Sequence, residues 1–180
     1  YLGAYMKFSG FDGVIIQGQA PDWTYLYLHD GGAELRPASQ LVGKDVYETE
    51  AAIKKEIGGS ARNLSVFGVG PAGENLVKFA GILGDHGHAA AHNGTGAVMG
   101  SKRLKAIVAA RGRAALEVAN RNATSRAAQA IFEAVKADPD GGRIYEWGTS
   151  MIFTGAEAGG YLPVKNYTTN VYPISPEDLE

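Results

Sequence analysis

About half of the chain's 25 glycines fall between Gly58 and Gly112, and this crowding is the strongest constraint on what the backbone can do. Glycine is about twice its usual share of roughly 7%, with no collagen-like period. The segment therefore needs positions with φ above zero, or positions where other groups pass too close for a side chain. One cluster, Gly68-Val69-Gly70-Pro71-Ala72-Gly73, matches G-x-G-x-x-G between an expected strand, Leu64 to Val69, and an expected helix, Ala72 to Leu83. A dinucleotide site also needs a second parallel strand after the helix, with an acidic residue about 20 positions on. The helix is followed instead by Gly84-Asp85-His86-Gly87-His88-Ala89-Ala90-Ala91-His92-Asn93-Gly94, which has almost no β propensity. Pro71 lacks an N–H for a pyrophosphate, and Glu74 would repel an anion at the helix start. The cluster reads as a tight strand-to-helix turn, with a nucleotide-binding α/β domain as the alternative.

Three of the four histidines, His86, His88 and His92, lie within seven positions. The i, i+4 spacing of His88 and His92 invites a metal reading, but no glutamate gives H-E-x-x-H and the glycines oppose a helix. An anion-facing loop from His88 to Lys102 accounts better for these residues. Small side chains let the backbone approach a bulky ligand, exposed N–H groups can form a nest, and His or Lys supplies charge. Val98 and Met99 would anchor such a loop, and Lys102 would reach the ligand or cap the turn.

Around this segment the pattern predicts a β meander over 13–36, containing Val14 to Ile16, Trp23 to His29, and a turn at Asp30-Gly31-Gly32 into Ala33 to Arg36. Trp23, Tyr25, Tyr27 and His29 alternate with Thr24, Leu26 and Leu28, as in a strand between two environments. An amphipathic helix runs from Gly43 to Ile57 and stops at Gly58-Gly59; Leu104 to Ala110 is a further strand. After Gly112 the composition turns Ala-rich, predicting a helix from Ala114 to Ala137 stopped at Asp138-Pro139-Asp140-Gly141-Gly142, a short helix over Tyr145 to Phe153, and a Pro-rich tail from Gly159. The expected domains are 1–112 and 113–180.

Hydrophobic residues at 45% suffice for a core, and 17 basic against 19 acidic residues leave no electrostatic footprint for nucleic acid. No apolar run approaches the roughly 20 residues that span a bilayer. Without cysteine the chain offers no disulfide and no thiolate for zinc or an iron–sulfur cluster. The expected compartment is the cytoplasm, and the opening Tyr1-Leu2-Gly3-Ala4-Tyr5-Met6 reads as the middle of a longer chain.

At Gly70-Pro71-Ala72-Gly73-Glu74-Asn75-Leu76-Val77, and from Gly96-Ala97-Val98-Met99-Gly100 through Ser101-Lys102-Arg103-Leu104-Lys105-Ala106, the sequence resembles the N-terminal domain of the tungsten-containing aldehyde:ferredoxin oxidoreductase family. Met6 to Gly18 and Leu35 to Asp45 support the match. The resemblance implies an α+β fold of mixed β-sheets with packed helices, cradling a bis-pyranopterin that carries tungsten or molybdenum, followed by the start of an all-helical domain. It implies oxidation of an aldehyde to a carboxylic acid, with electrons passed through a [4Fe–4S] cluster to ferredoxin or another redox subunit. A homo-oligomer is compatible with it, and a non-catalytic subunit derived from the family is the second alternative. The cluster ligands and part of the cradle would lie outside this chain.

In that family the stretch matching His88 to Gly96 reads R-A-A-G-R-G-G-x-G and contacts the pterin phosphates, with a backbone carbonyl near its start holding Mg2+ between them. The resemblance therefore carries cofactor contact to His88, Ala89, Ala90, His92, Asn93, Gly94 and Gly96, and the magnesium contact to the Ala89 carbonyl. Here His88 and His92 replace arginines and Asn93 replaces a glycine. Arginine is always charged and grips phosphate bidentately, whereas histidine titrates near neutrality, so the exchange predicts weaker and pH-dependent phosphate binding. No catalytic acid or base is assigned; Glu74 reads as a helix-start residue.

Overall fold

Strand β1 (Thr24–His29) shows why the chain folds as a layered structure: Tyr25 packs into one apolar cluster, while Leu26 and Leu28 pack into another on the opposite face. This is the period-2 pattern expected from the sequence. In the computed structural model, which describes residues 1–58, 61–113, 116–171 and 173, α1 (Leu2–Phe8) precedes β1. Strand β2 (Gly32–Pro37), α2 (Val46–Ile57), β3 (Leu64–Gly68), α3 (Pro71–Glu74), β4 (Ile82–Gly84), β5 (His88–Ala90), α4 (Thr95–Ser101) and β6 (Leu104–Ala110) follow. The chain divides into two compact units, Tyr1–Glu117 and Val118–Glu180.

The first unit is built on one six-stranded sheet of order β2-β1-β6-β3-β4-β5. Only β1 and β6 run parallel; the remaining neighbours are antiparallel, so the sheet is mixed and the fold α+β. On one face Ile53 of α2 packs with Tyr25, Leu41, Leu64, Val66, Ala106 and Val108. On the other, Met99 of α4 and Val69 join Leu26, Leu28 and Leu104, with Met6 of α1 against them. Thr24 pairs with Leu104 but Tyr25 pairs with Ala106, so Lys105 is an extra residue bulged out of the β1–β6 ladder.

Helix α2 begins at Asp45 with a reciprocal capping box: Glu48 N–H donates to the Asp45 carboxylate at 2.8 Å, and Asp45 N–H donates to Glu48 at 3.1 Å. It ends at Gly58, whose φ of 75° suits glycine; Gly59, the other half of the expected stop, lies outside the described residues. The buried Tyr25 hydroxyl donates to Glu56 of α2 at 2.6 Å. Burial first, and this bond second, push the Tyr25 phenol up to about 12, against the opposing pull of Arg36. The neutral phenol thus adds stability that is fully present below about pH 10 and lost as pH rises through 12, a term of order 2 kcal/mol. Denaturant midpoints measured between pH 9 and 12 should fall less steeply in Tyr25→Phe than in the parent; identical slopes would remove Tyr25 from the alkaline transition.

Several sequence expectations are corrected. Val14 to Ile16 is not a strand, so the meander is a β1–β2 hairpin, turned at Asp30 and Gly31 with φ of 44° and 78°. The opening segment forms α1, which no pattern suggested. The helix expected over 72–83 is only the four-residue α3, because the chain turns left-handed at Leu76, φ 57°. Strand β4 takes Ile82 and Leu83 from the end of that expected helix, and β5 lies in the segment from Gly84 onward that carries almost no β propensity.

In the second unit α5 (Arg121–Ala137) starts at Asn120, whose side chain accepts from Ala123 N–H at 2.9 Å. The expected start at Ala114 lies outside the described residues, and residues 116–120, expected to be helical, are not, because the Asn120 cap sets the first turn at Arg121. Asp138 caps α6 (Pro139–Trp147), so the Pro-Asp-Gly-Gly run opens a helix as well as ending one. A 3-10 turn over Gly148–Ile152 leads into α7 (Phe153–Ala158), and a bridge pairs Val164 with Thr169 in the tail. Residues 172 and 174–180 of that tail lie outside the described residues. No helix among the described residues is long and apolar enough to cross a membrane.

Candidate functional site

The expected site residues gather at the far edge of the sheet. Strand β5 is the terminal strand, paired on one side only, with Ala89 opposite Leu83 and His88 opposite Gly84. On an edge strand alternate N–H and C=O groups point away from the sheet. His88, Ala89, Ala90, His92 and Asn93 are all exposed there. Beyond β5 the chain makes a 3-10 turn over His92–Gly94 in which Asn93 and Gly94 are left-handed, φ 66° and 70°. A helical residue followed by a left-handed one tilts successive N–H groups together, the arrangement of an anion nest. The Thr95 hydroxyl closes the turn by donating to the Ala90 carbonyl at 2.6 Å.

Gly94 and Gly96 have a packing role that the sequence does not signal. Both are buried, and a Cβ on Gly94 would strike the Lys78 carbonyl, while one on Gly96 would strike the Gly81 carbonyl. The Gly96 N–H donates to Ala80 O at 2.8 Å, so it is not free for a ligand. These glycines let segment 78–81 pass beneath the loop. Met99 anchors the loop as expected, but Val98 is exposed, and Lys102 donates back to Gly18 O at 3.3 Å.

The turn before β5 is held from beneath. Asp85 and His86 both have positive φ, 45° and 64°, and Gly87 N–H donates to Gly84 O at 3.1 Å, as a type I′ turn requires. Asp85 is buried and accepts from the Ser65 hydroxyl at 2.7 Å and from Val66 N–H at 3.3 Å. On the other side Glu50, buried on α2, pairs with Lys54 at 2.5 Å and lies 3.7 Å from the His86 ring. His86 therefore faces Glu50. Among the described residues no group of three or more His, Cys, Asp or Glu is placed to hold a metal ion.

The glycine-rich turn is occupied by the protein itself. A Cβ on Gly68 would lie 2.7 Å from Lys105 O, and one on Gly73 2.6 Å from the Val69 Cβ. Strand β4 returns antiparallel to β3, so no βαβ unit forms and the nucleotide-site alternative loses its required strand. Glu74 sits at the centre of this turn. Its carboxylate accepts from Gly43 N–H at 2.9 Å and pairs with Lys105, which is fully buried and also donates to Lys44 O at 2.8 Å. Sequence reasoning placed Glu74 as a helix-start residue; its buried partner is set by the bulge in β6, which no spacing signals.

Residues 1–111 match the family model for the aldehyde ferredoxin oxidoreductase N-terminal domain. The tungsten-containing aldehyde ferredoxin oxidoreductase of Pyrococcus furiosus is 41% identical over 178 residues, covering 98% of this chain and 29% of the relative. The enzyme of the same description from Thermococcus kodakarensis is 42% identical over 173 residues, 96% of this chain and 28% of the relative. A solved structure, the active site complex BamBC of benzoyl coenzyme A reductase with 1,5-dienoyl-CoA, superposes with a TM-score of 0.67 at 36% identity, over 73% of this chain and 20% of that one. The chain thus spans less than a third of the length of these relatives. With the model covering most of the chain, it belongs to the aldehyde ferredoxin oxidoreductase family.

Proposed function

We propose that this chain supplies part of the cradle for a tungsten- or molybdenum-bearing bis-pyranopterin in an enzyme that oxidises aldehydes to carboxylic acids. The observation that carries the reading is the sheet edge itself: β5 and the following turn bring His88, Ala89, Ala90, His92 and Asn93 together, exposed and covered by no element among the described residues of this unit. The donor set fits a phosphorylated group: two imidazoles, a carboxamide, outward backbone groups of an edge strand and a nest-like turn. It holds no set of side chains for the metal, which the pterin would carry. The Ala89 carbonyl is the proposed contact to a Mg2+ ion between pterin phosphates, and Gly94 and Gly96 support the loop.

When bound, the metal–pterin group supplies the two-electron redox chemistry. The chain's own work is to bind and orient. His88 and His92 donate to phosphate oxygens, Asn93 adds its amide, and the buried glycines fix the loop at one height above the sheet. With no cysteine, the chain gives no thiolate to a [4Fe–4S] cluster. Ferredoxin or another redox subunit is the proposed electron acceptor, the cytoplasm the proposed compartment, and residues 113–180 the proposed beginning of a helical domain.

The test is cofactor content. The native protein, purified without oxygen, should contain tungsten or molybdenum together with pterin; absence of both metals would favour a non-catalytic subunit. Replacing His88 and His92 together by Ala removes two charge-assisted bonds, each worth about 1.5 kcal/mol or more, and should lower pterin affinity at least about 100-fold. His88→Arg with His92→Arg should hold or raise occupancy. Equal pterin content in all three proteins would show that the loop does not touch the cofactor.

A further inference from the structure

Strand β5 has little of its own to keep it in place. It is three residues long, and His88, Ala89 and Ala90 are all exposed, so no side chain packs it onto the core. Its far end is held by the Thr95 hydroxyl on Ala90 O, at 2.6 Å, and its start by the short ladder to β4 and the turn that joins them. In that turn Asp85 is a buried carboxylate that the proposed cofactor contacts do not use.

The Asp85 side chain reaches across to β3, the neighbour of β4, where Ser65 Oγ donates to Oδ2 at 2.7 Å and Val66 N–H donates to Oδ1 at 3.3 Å. Its own N–H donates to Val66 O at 3.2 Å, so backbone and side chain grip the same strand. Asp85 keeps this grip with a left-handed backbone, φ 45°, which Asp tolerates better than most residues. The carboxylate therefore fixes both the tilt of the turn and the point from which β5 starts. From the second face Glu50 approaches His86 N–H at 3.5 Å, a long contact that steadies the turn without setting it.

We propose that Asp85 is a positioning residue: by tying the β4–β5 turn to Ser65 and Val66 of β3, it sets where His88 and Ala89 stand and so governs how well the edge binds a phosphorylated cofactor. This rests on the reading of β5 as the phosphate-facing edge. Asp85 itself touches no ligand and acts through the strand it starts.

The experiment compares Asp85→Ala, Asp85→Asn and Ser65→Ala in the native protein, reading amide hydrogen exchange and pterin content. Asp85→Ala should speed exchange over 85–92 at least about tenfold while β1 and β6 keep their protection, and should lower pterin content several-fold. Asp85→Asn retains an oxygen to accept from Ser65 and should recover most of both, and Ser65→Ala should fall between. Unchanged exchange over 85–92 in Asp85→Ala, or faster exchange with full pterin content, overturns the positioning role. If Asp85→Ala behaves as expected for exchange while His88→Ala with His92→Ala keeps full occupancy, the anchoring stands as a fact of the fold, but the phosphate-facing reading and the cofactor role built on it are lost.

Discussion

Glu74→Gln is expected to destabilise the protein by about 3–5 kcal/mol, because it leaves the Lys105 ammonium fully buried beside a neutral amide. The cost is that of an uncompensated charge, since the Lys44 carbonyl at 2.8 Å remains its main acceptor. Thermal unfolding should begin roughly 10 °C lower or more. The paired change, Glu74→Gln with Lys105→Met, removes the charge along with its partner and should recover most of the loss, as replaced buried ion pairs often do. A single variant as stable as the parent would mean that Lys105 reaches water. The pair joins α3, the Gly43–Lys44 segment and the bulge of β6, so its failure would release three segments at once.

The second large effect is expected from Gly100→Ala. Alanine is worth about 1 kcal/mol over glycine inside a helix, so propensity alone predicts a more stable protein. The structure predicts the opposite, because a Cβ at Gly100 would strike the Gly73 carbonyl, with the Gly73 carbon at 2.7 Å. Neither atom belongs to a movable side chain. Separating α3 from α4 should cost about 1–3 kcal/mol or more and disturb the base of the 88–96 loop. Gly3→Ala is the matching control: Gly3 is helical with open space around it, and the change should be neutral or stabilising by a few tenths of a kcal/mol. Chemical denaturation of both variants separates the two accounts by sign.

What the sequence discloses depends on how far each element's reason lies from it along the chain. Strand β1 was legible because its two faces are written in alternating residues, and α2 because its cap, stripe and stop are local. The α+β class and the family came from motifs at 70–77 and 96–106, whose order matched even where their geometry was misread. Helix α3 was overextended because Leu76 carries no signal for a left-handed turn. Strand β4 is hidden because Ile82 and Leu83 continue the apolar pattern of the expected helix, and β5 because His88, Ala89 and Ala90 have little intrinsic preference for a strand; Gly84 is there because a Cβ would meet Phe67 at 2.7 Å. In the site, the exposed histidines were visible as a cluster, but the buried support from Asp85, Ser65 and Glu50 was not. Those three residues are spread over 36 positions and meet only through the sheet.

The bulge at Lys105 also decides where this chain can lose a residue. In β6, Leu104 and Ile107 serve one apolar cluster, and Ala106 and Val108 the other. Deleting a single residue from 106–109 would either exchange the faces of the residues beyond it or close the bulge and turn Lys105 into an apolar cluster. Deleting residue 105 would leave a regular ladder with β1 and the faces intact, but would strand Glu74 without its cation. The strand therefore carries one residue more than its pairing requires, and that surplus residue is the one whose charge pairs with Glu74 and ties the glycine-rich turn to Lys44.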